Sequence, residues 1–349
     1  MKGLILAGGQ STRLYPLTFS LPKPMVPVVN RPFLEHMIEW LRAHGVRDII
    51  LTTGYLPEAI REYFKSGARH GVNIEYVVEQ QPLDTGGAIK NCEPLLDGAF
   101  FVFNGDILTG LDLSDMAAQH RRSGAQVSIS LTWVEDPTPY GVIETEESGR
   151  ILSFREKPKP NEVTSHYINA GTYLFEPEVL AEMPAAVRFS IEKEFYPQAL
   201  ARGVRMHGYR DSSYWLDIGT AEKYIQAHRD ILSGKLQRQG RGEQIAPGVW
   251  LGAGAQVAGD AQFIAPAMVG ERSVIGARAR VGPFAVLGDD VRIEQGVRIS
   301  NSIVWSGTSI GADATLERCV VGRNVAIGAG LTLEGQAFAD EEQVVAQAV

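Results

Sequence analysis

From Ile245 onward an apolar residue recurs at every sixth position: Ile245, Leu251, Val257, Phe263, Val269, Ile275, Val281, Leu287, Ile293 and Ile299 follow one another without a break. The phase slips by one residue to Val304, Ile310 and Leu316, and slips again to Val321, Ile327 and Leu333. Neither the 3.6-residue period of an α-helix nor the two-residue period of an ordinary strand produces that spacing. A hexapeptide repeat builds a β-helix: each short strand points one apolar side chain into a prism, and three strands complete a turn. Glycine follows many of these positions (Gly252, Gly270, Gly276, Gly282, Gly288, Gly311, Gly322 and Gly328), where it is expected to supply the positive φ of tight corners. Residues 245–335 are therefore expected to form a left-handed parallel β-helix, with 336–349 as a tail.

The first two thirds of the chain has another texture. Short β-rich runs at Gly3–Ala7, Asp48–Thr53, Ile74–Val78 and Ala99–Phe103 alternate with amphipathic patterns at Phe33–His44, Pro57–Ser66 and Ser114–Ser123. That alternation predicts βαβ units and an α/β, Rossmann-like domain with a mostly parallel central sheet. Ligands of such sheets sit beyond the carboxyl ends of the strands. The expected division is a domain over 1–232, a polar, glycine-containing linker over 233–244 (SGKLQRQGRGEQ), and the β-helix. A length of 349 residues accommodates both domains.

Composition removes several function classes. A net charge of -8 with no basic run leaves no electrostatic footprint for nucleic acid, nor attraction to an anionic membrane surface. Cys92 and Cys319 are far apart and form neither a metal-ligand spacing nor a disulfide framework. The start, MKGLILAGG, runs into glycine after too few apolar residues for a signal peptide. No apolar run approaches the ~18 residues of a membrane span. A cytoplasmic location is expected.

Several constellations point to phosphate chemistry. Gly8-Gly9-Gln10-Ser11-Thr12-Arg13 follows the first strand, and such small residues let backbone N–H groups approach a polyphosphate beside a guanidinium fork. Its glycine spacing is neither a P-loop nor a dinucleotide fingerprint. Lys23 lies between Pro22 and Pro24, which fix the backbone on either side of it. Asp106, in Asn-Gly-Asp after a strand, and Asp217, in Trp-Leu-Asp-Ile-Gly-Thr, are each either a turn or capping residue or a carboxylate for one Mg²⁺. Glu156-Lys157 and Asn169 offer a carboxylate, an ammonium and an amide to a sugar phosphate, or equally make a surface pair and a turn.

In order, GLILAGGQSTRLYPLT…PKPMVPV, QPLDTGGA, NGD, YGV, FREKP, NAGTYLF and WLDIGT resemble the sugar-1-phosphate nucleotidylyltransferase family, over residues 2 to about 232. A hexapeptide C-terminal domain also occurs in many members, particularly those resembling mannose-1-phosphate guanylyltransferase. The resemblance implies condensation of a nucleoside triphosphate with a sugar 1-phosphate, releasing pyrophosphate. It places Gly8, Gly9, Arg13 and Lys23 on the triphosphate, Gln81 and Gly86 near the base, and Asp106 and Asp217 on Mg²⁺. It places Lys157 on the sugar phosphate, with Gly141, Glu156 and Asn169 around the sugar. Arg13, Lys23, Asp106, Lys157 and Asp217 are thus the expected catalytic set, and Asp106 also borders the nucleotide. The implied substrates are GTP with mannose 1-phosphate, then dTTP or UTP with glucose 1-phosphate. A β-helix leaves open ends and flat faces that must be capped or paired, so a homo-oligomer through it is expected, and a chain cut at Lys235 is expected to keep some turnover as a smaller oligomer.

Three positions depart from the family pattern. Ser11 replaces a frequent glycine, Pro24 stands where short-form thymidylyltransferases usually carry glutamine, and Gln81 where some guanylyltransferases carry an acid.

Two rival readings compete. Left-handed β-helices often carry acetyl transfer, but that chemistry needs a histidine base, and all seven histidines precede the linker. A non-catalytic regulatory homologue would tend to lose a lysine or an aspartate, whereas Lys23, Asp106, Lys157 and Asp217 are all present.

Overall fold

The computed structural model describes residues 1–9, 11–238 and 240–345. The chain forms two compact units that are discontinuous in sequence. One comprises Met1–Gln10 and Met37–Trp215, the other Ser11–His36 and Leu216–Val349.

The first unit is built on a nine-stranded sheet. Its strands are β1 (Lys2–Ala7), β2 (Asp48–Thr53), β3 (Asn73–Val78), β4 (Phe100–Asn104), β5 (Val127–Trp133), β6 (Gly141–Thr145), β7 (Ile151–Glu156), β8 (Tyr167–Phe175) and β9 (Met206–Arg210). Their order is β7–β6–β8–β4–β1–β2–β3, with β5 also paired to β8 and β9 to β5. The strands β4, β1, β2 and β3 are mutually parallel, so Ala7, Thr53, Val78 and Asn104 end on one edge. Strand β8 runs antiparallel to β4 and β5. The core beneath this edge is aliphatic and aromatic: Leu4, Phe100, Val102, Ile129, Tyr173, Phe175 and Tyr196 are among its fully buried members. Each such side chain contributes about 1.5–3 kcal/mol of burial.

The second unit contains the β-helix. Three sheets of seven, six and five strands form its faces. All their pairings are parallel except that of the first strand, Glu243–Ala246, which runs antiparallel to Val249–Leu251, and equivalent residues of successive coils pair in register, as in Val269↔Leu287 and Ile293↔Ile310. The six-residue positions from Val269 to Leu333 fill the prism. Two earlier ones do not. Ile245 is 53% exposed and Val257 36%, because the first coil is an open end with no coil beyond it to cover them. The coil also runs further than the period suggests, since Ala337–Phe338 and Gln343–Val344 add strands to two of the faces. Residues 346–349 of the expected tail lie outside the described residues.

The corner glycines have a different cause from the one expected. At Gly270, Gly276, Gly288 and Gly311 a Cβ would lie 2.4–2.6 Å from backbone atoms of the next coil. Close stacking, rather than φ, excludes a side chain there. Gly282 is the exception among the expected glycines, with φ 108; the other positive φ values fall on residues such as Arg272, Arg278, Asp290, Asp313 and Asn324.

One outer face of the β-helix is apolar. Met268, Val286, Ile303 and Val320 alternate with prism-filling residues, so they point outward, yet each is at most 2% exposed. Residues 11–36 and the helix Ala221–Leu232 pack within the same unit. Asn30 Nδ2 donates to Leu287 O at 2.7 Å, Trp305 Nε1 donates to Tyr224 OH at 3.0 Å, and Arg229 lies 5.0 Å from the Phe284 ring centroid. That helix buries Tyr224, Ala227, His228 and Ile231, an i, i+3, i+4, i+7 stripe, and Thr220 caps it by accepting from Lys223 N at 3.3 Å. No described helix is long and apolar enough to cross a membrane.

Candidate active site

At the carboxyl edge of the parallel strands, backbone approaches backbone. A Cβ on Gly54 would sit 2.9 Å from Gly8 O, and one on Gly105 would sit 2.5 Å from Leu6 O. A Cβ on Gly8 would meet Glu79 Oε1 at 2.5 Å, whereas around Gly9 nothing lies within 4 Å. This leaves a shallow floor of main chain with open space above Gly9. Glu79 anchors it: its Oε2 accepts from Leu83 N at 3.2 Å, and burial raises its pKa against the pull of that bond and of Thr52.

Gln81 is exposed on the approach to the helix Asp84–Asn91. Gly86 is inside that helix, and its role is visible in packing. Gly86 N and Gly87 N donate to Phe189 O at 2.8 and 3.0 Å. A Cβ on Gly86 would lie 2.7 Å from the Phe189 ring, and one on Gly87 2.5 Å from Val187 O. The ~1 kcal/mol cost of each helical glycine is offset by this close approach. Asp106, half-buried, follows β4 on the same edge.

The residues expected on the sugar side lie on or beside β6, β7 and β8. Gly141 pairs with Glu156 across β6 and β7, and a Cβ there would meet the Phe154 ring at 2.6 Å and Glu156 Oε2 at 3.0 Å. Burial, then the Glu192 carboxylate, raises the pKa of Glu156, and Lys157 and Lys193 oppose the rise. Lys157 Nζ lies 3.9 Å from Glu156 Oε1 on a side chain that is 66% exposed. Its backbone is left-handed, φ 47, and its N–H donates to Tyr140 O at 3.0 Å. Holding a non-glycine residue there costs ~1–2 kcal/mol. Asn169 Nδ2 donates to Tyr173 OH at 2.9 Å, and Asn169 Oδ1 accepts from Gly171 N at 3.0 Å, which fixes the amide. Tyr173 OH in turn faces Glu192 Oε1 at 3.5 Å, while Glu192 Oε2 accepts from Thr85 Oγ1 at 2.7 Å and Ser190 Oγ at 2.9 Å. Burial, with Glu192, holds the Tyr173 phenol well above the usual range.

Tyr173 and Glu192 were not singled out in the sequence. A tyrosine four residues after an asparagine in a strand reads as core, and an acid in IEKEF reads as a solvated face.

In the second unit the cationic residues gather on one carboxylate. Asp217 Oδ2 lies 3.8 Å from Arg13 Nη1 and 3.7 Å from Lys223 Nζ, and Asp217 Oδ1 lies 3.9 Å from Lys23 Nζ. Lys23 is 5% exposed, so the lysine between two prolines is not a solvated surface charge. Gly219 leaves the room: a Cβ there would be 2.9 Å from Asp217 Oδ1 and 3.0 Å from Arg13 Cζ. Lys223 is the member that sequence reasoning missed. Its position in the first turn after the Thr220 cap was the available signal. Three cations gathered on one carboxylate make an arrangement that favours a polyphosphate. Asp106 belongs to the first unit and Asp217 to the second.

Among the described residues no group of three or more His, Cys, Asp or Glu could hold a metal ion. Mg²⁺ does not need one, since it takes one or two carboxylates and fills its shell with water and phosphate oxygens. Asp106 and Asp217 suit that hard-oxygen chemistry. Neither cysteine competes for a catalytic role. Both are free and buried, and burial pushes the Cys92 thiol up to about 12.

Comparison with known proteins completes the description. The family profile described as Nucleotidyl transferase matches residues 2–234, and that described as GMPPB C-terminal domain matches residues 263–349. The chain is 40% identical to a mannose-1-phosphate guanylyltransferase of Mycobacterium tuberculosis over 69% of its own length and 68% of the relative's. It is 36% identical to a UTP–glucose-1-phosphate uridylyltransferase of Synechocystis over 72% of its length and 69% of that protein's. Among solved structures it resembles HddC from Yersinia pseudotuberculosis complexed with GMP-PN, with a TM-score of 0.58 and 30% identity over 66% of this chain and 99% of that one.

Proposed function

The chain belongs to the nucleotidyl transferase family and is a sugar-1-phosphate nucleotidyltransferase, and we propose that it makes GDP-mannose from GTP and mannose 1-phosphate with Mg²⁺. The observation that carries the choice of substrates is the guanylyltransferase relative at 40% identity over 69% of the chain.

The chemistry follows from the charges. An oxygen of the sugar phosphate attacks the α-phosphorus in line, and pyrophosphate leaves. The attacking oxygen is already ionised near pH 7, so no protein base is required. Catalysis is then alignment of two anions and neutralisation of their charge. Arg13, Lys23 and Lys223 supply cationic donors to the triphosphate, and the Gly8 and Gly9 backbone also binds it. Lys157 binds the sugar phosphate, and Glu156, Asn169 and the Gly141 backbone hold the sugar hydroxyls. The raised pKa of Glu156 suits a carboxylate that gains donors when the sugar binds. Asp106 and Asp217 serve as the Mg²⁺ carboxylates, and the ion supplies positive charge to the phosphates when bound. Gln81 and Gly86 lie toward the base. By the same proposal residues 1–232 carry the chemistry in the cytoplasm, 233–244 link them to the coil, and 245–335 assemble the chain into a homo-oligomer.

The test is a matrix of GTP, UTP, dTTP and ATP against mannose 1-phosphate and glucose 1-phosphate, read by pyrophosphate release. GTP with mannose 1-phosphate should give the highest kcat/KM. A higher value for UTP with glucose 1-phosphate overturns the assignment in favour of the activity named for the Synechocystis relative.

A further inference from the structure

Between Arg13 and Lys23 the chain makes a loop whose inner side is fixed by burial. Leu17, Thr18 and Leu21 are buried, and Thr18 Oγ1 donates to Ser11 O at 3.1 Å. Its outer side carries Ser20, exposed, three residues before Lys23. Ser20 Oγ donates to Asp340 Oδ2 at 2.5 Å and accepts from Arg323 Nη2 at 3.3 Å. Both partners sit on the last coils of the β-helix, more than three hundred residues away in sequence.

The carboxylate of Asp340 is aimed. Arg323 N donates to Oδ1 at 2.6 Å, Arg323 Nε donates to Oδ2 at 2.9 Å, and Arg323 Nη2 lies 2.7 Å from Oδ2. Gly322 makes the space, since a Cβ there would lie 2.7 Å from Asp340 Oδ1. Coil-to-coil arginine–carboxylate pairs occur elsewhere in the β-helix, as at Arg272 and Asp290, where Nη2 lies 2.8 Å from Oδ2, and Arg318 and Glu334. The bland reading makes Arg323–Asp340 one more such staple. It differs from them in taking a hydroxyl from outside the β-helix as a further ligand, and that hydroxyl lies on the loop joining two cations that converge on Asp217.

We infer that Asp340 and Arg323 are positioning residues for the nucleotide: by clamping Ser20 they hold the loop between Arg13 and Lys23 in its triphosphate-binding form. The terminal coil thereby sets nucleotide affinity while touching no substrate. The inference rests on the reading of Arg13 and Lys23 as triphosphate ligands.

The test measures KM for GTP, KM for mannose 1-phosphate and kcat in the full-length protein for Ser20→Ala, Asp340→Ala, the double variant and Ser20→Thr. Arg272→Ala controls for an ordinary coil staple, and Lys23→Ala controls for the underlying reading. Ser20→Ala and Asp340→Ala should each raise KM for GTP about five- to tenfold, the size of one solvent-exposed hydrogen bond. The double variant should be no worse than the poorer single one, and Ser20→Thr should restore the wild-type value. KM for mannose 1-phosphate should stay within about twofold in all of them, and Arg272→Ala should change neither constant. Fully additive singles, equal rises in both KM values, or an unchanged KM for GTP overturn the clamp. If Lys23→Ala weakens GTP while Ser20→Ala does not, the clamp alone falls. If Lys23→Ala leaves GTP untouched, the reading of Lys23 falls and the clamp with it. Should Asp340→Ala fail to fold, Ser20→Ala and its threonine rescue decide the matter, because an exposed hydroxyl contributes little to the core.

Discussion

Replacing Asp217 by asparagine separates two roles proposed for one carboxylate. The substitution keeps the shape and removes the charge. Asp217 has Arg13, Lys23 and Lys223 at 3.8, 3.9 and 3.7 Å. At ~4 Å a unit charge pair near a protein surface is worth about 4 kcal/mol before desolvation is counted. Most of that interaction belongs to Lys23, whose side chain is 5% exposed, and less to Arg13, at 67%, where solvent screens it. Neutralising the carboxylate takes one negative charge away from these three cations.

If Asp217 were only a counter-ion, that change would tighten the triphosphate: KM for the nucleotide would fall and kcat would hold. If it also anchors Mg²⁺, a source of transition-state charge stabilisation is lost. A loss of ~2.7–5.4 kcal/mol lowers kcat by about 10²–10⁴, and the Mg²⁺ concentration for half-maximal rate rises. The assay is pyrophosphate release at saturating substrates across a Mg²⁺ titration, with circular dichroism confirming the fold. A kcat within threefold of wild type, with an unchanged Mg²⁺ requirement, refutes the metal role.

Other perturbations test separate parts of the argument. Lys157→Ala should raise KM for the sugar phosphate far more than KM for the nucleotide, and the opposite ranking means the two substrates have been placed the wrong way round. His228 is buried, and that burial lowers its pKa to about 3, with the accepting Pro27 carbonyl opposing the fall and His36 adding to it. The unfolded chain, titrating near the ordinary 6.5, therefore takes up a proton between those values that the folded chain refuses, so stability is lost as pH falls. Linkage gives ~2 kcal/mol between pH 7.5 and 5, to be read as the difference between wild type and His228→Gln in urea unfolding at the two pH values; equal pH dependence of the two proteins refutes it. A chain cut after Lys235 should lose nucleotide turnover, because it strips the β-helix face from residues 11–36 and from the helix that carries Lys223 and Tyr224. Activity per folded molecule within tenfold of the full chain refutes that dependence.

The last of these reverses what the sequence suggests, and the reason is physical. A hexapeptide period reports only the side chains that fill the prism. Met268, Val286, Ile303 and Val320 lie one residue before those positions and read as ordinary aliphatic filler of short strands. Nothing in the period says that they point outward, and nothing in LPKPMVPVVN says that this stretch covers such a face. The same limit explains the glycines. Spacing marks where corners fall, but only coil stacking shows that Gly270 or Gly288 is excluded from carrying a Cβ by backbone rather than by φ. Ile245 and Val257 match the repeat and are exposed, because periodicity does not know where a stack ends.

The residues proposed for the site are those whose chemistry sits in a local pattern. A glycine turn after a strand, a lysine between prolines, and an aspartate after Asn-Gly each restrict the backbone near a strand end, so the pattern and the position coincide. Residues that act through contacts distant in sequence were not legible. Glu192 earns its place through Thr85, Ser190 and Tyr173, and Ser20 through Asp340 and Arg323. Lys223 lies between these cases: it is local to Asp217, but a lysine in the first helical turn opposes the helix dipole and reads as a mild misfit. The three-cation cluster gives that misfit a reason. A positive charge at the positive end of a helix is unfavourable alone and becomes favourable once a triphosphate lies over Asp217. On the proposed reading, the helix tolerates Lys223 for the sake of the nucleotide, although without that ligand the helix would be better without it.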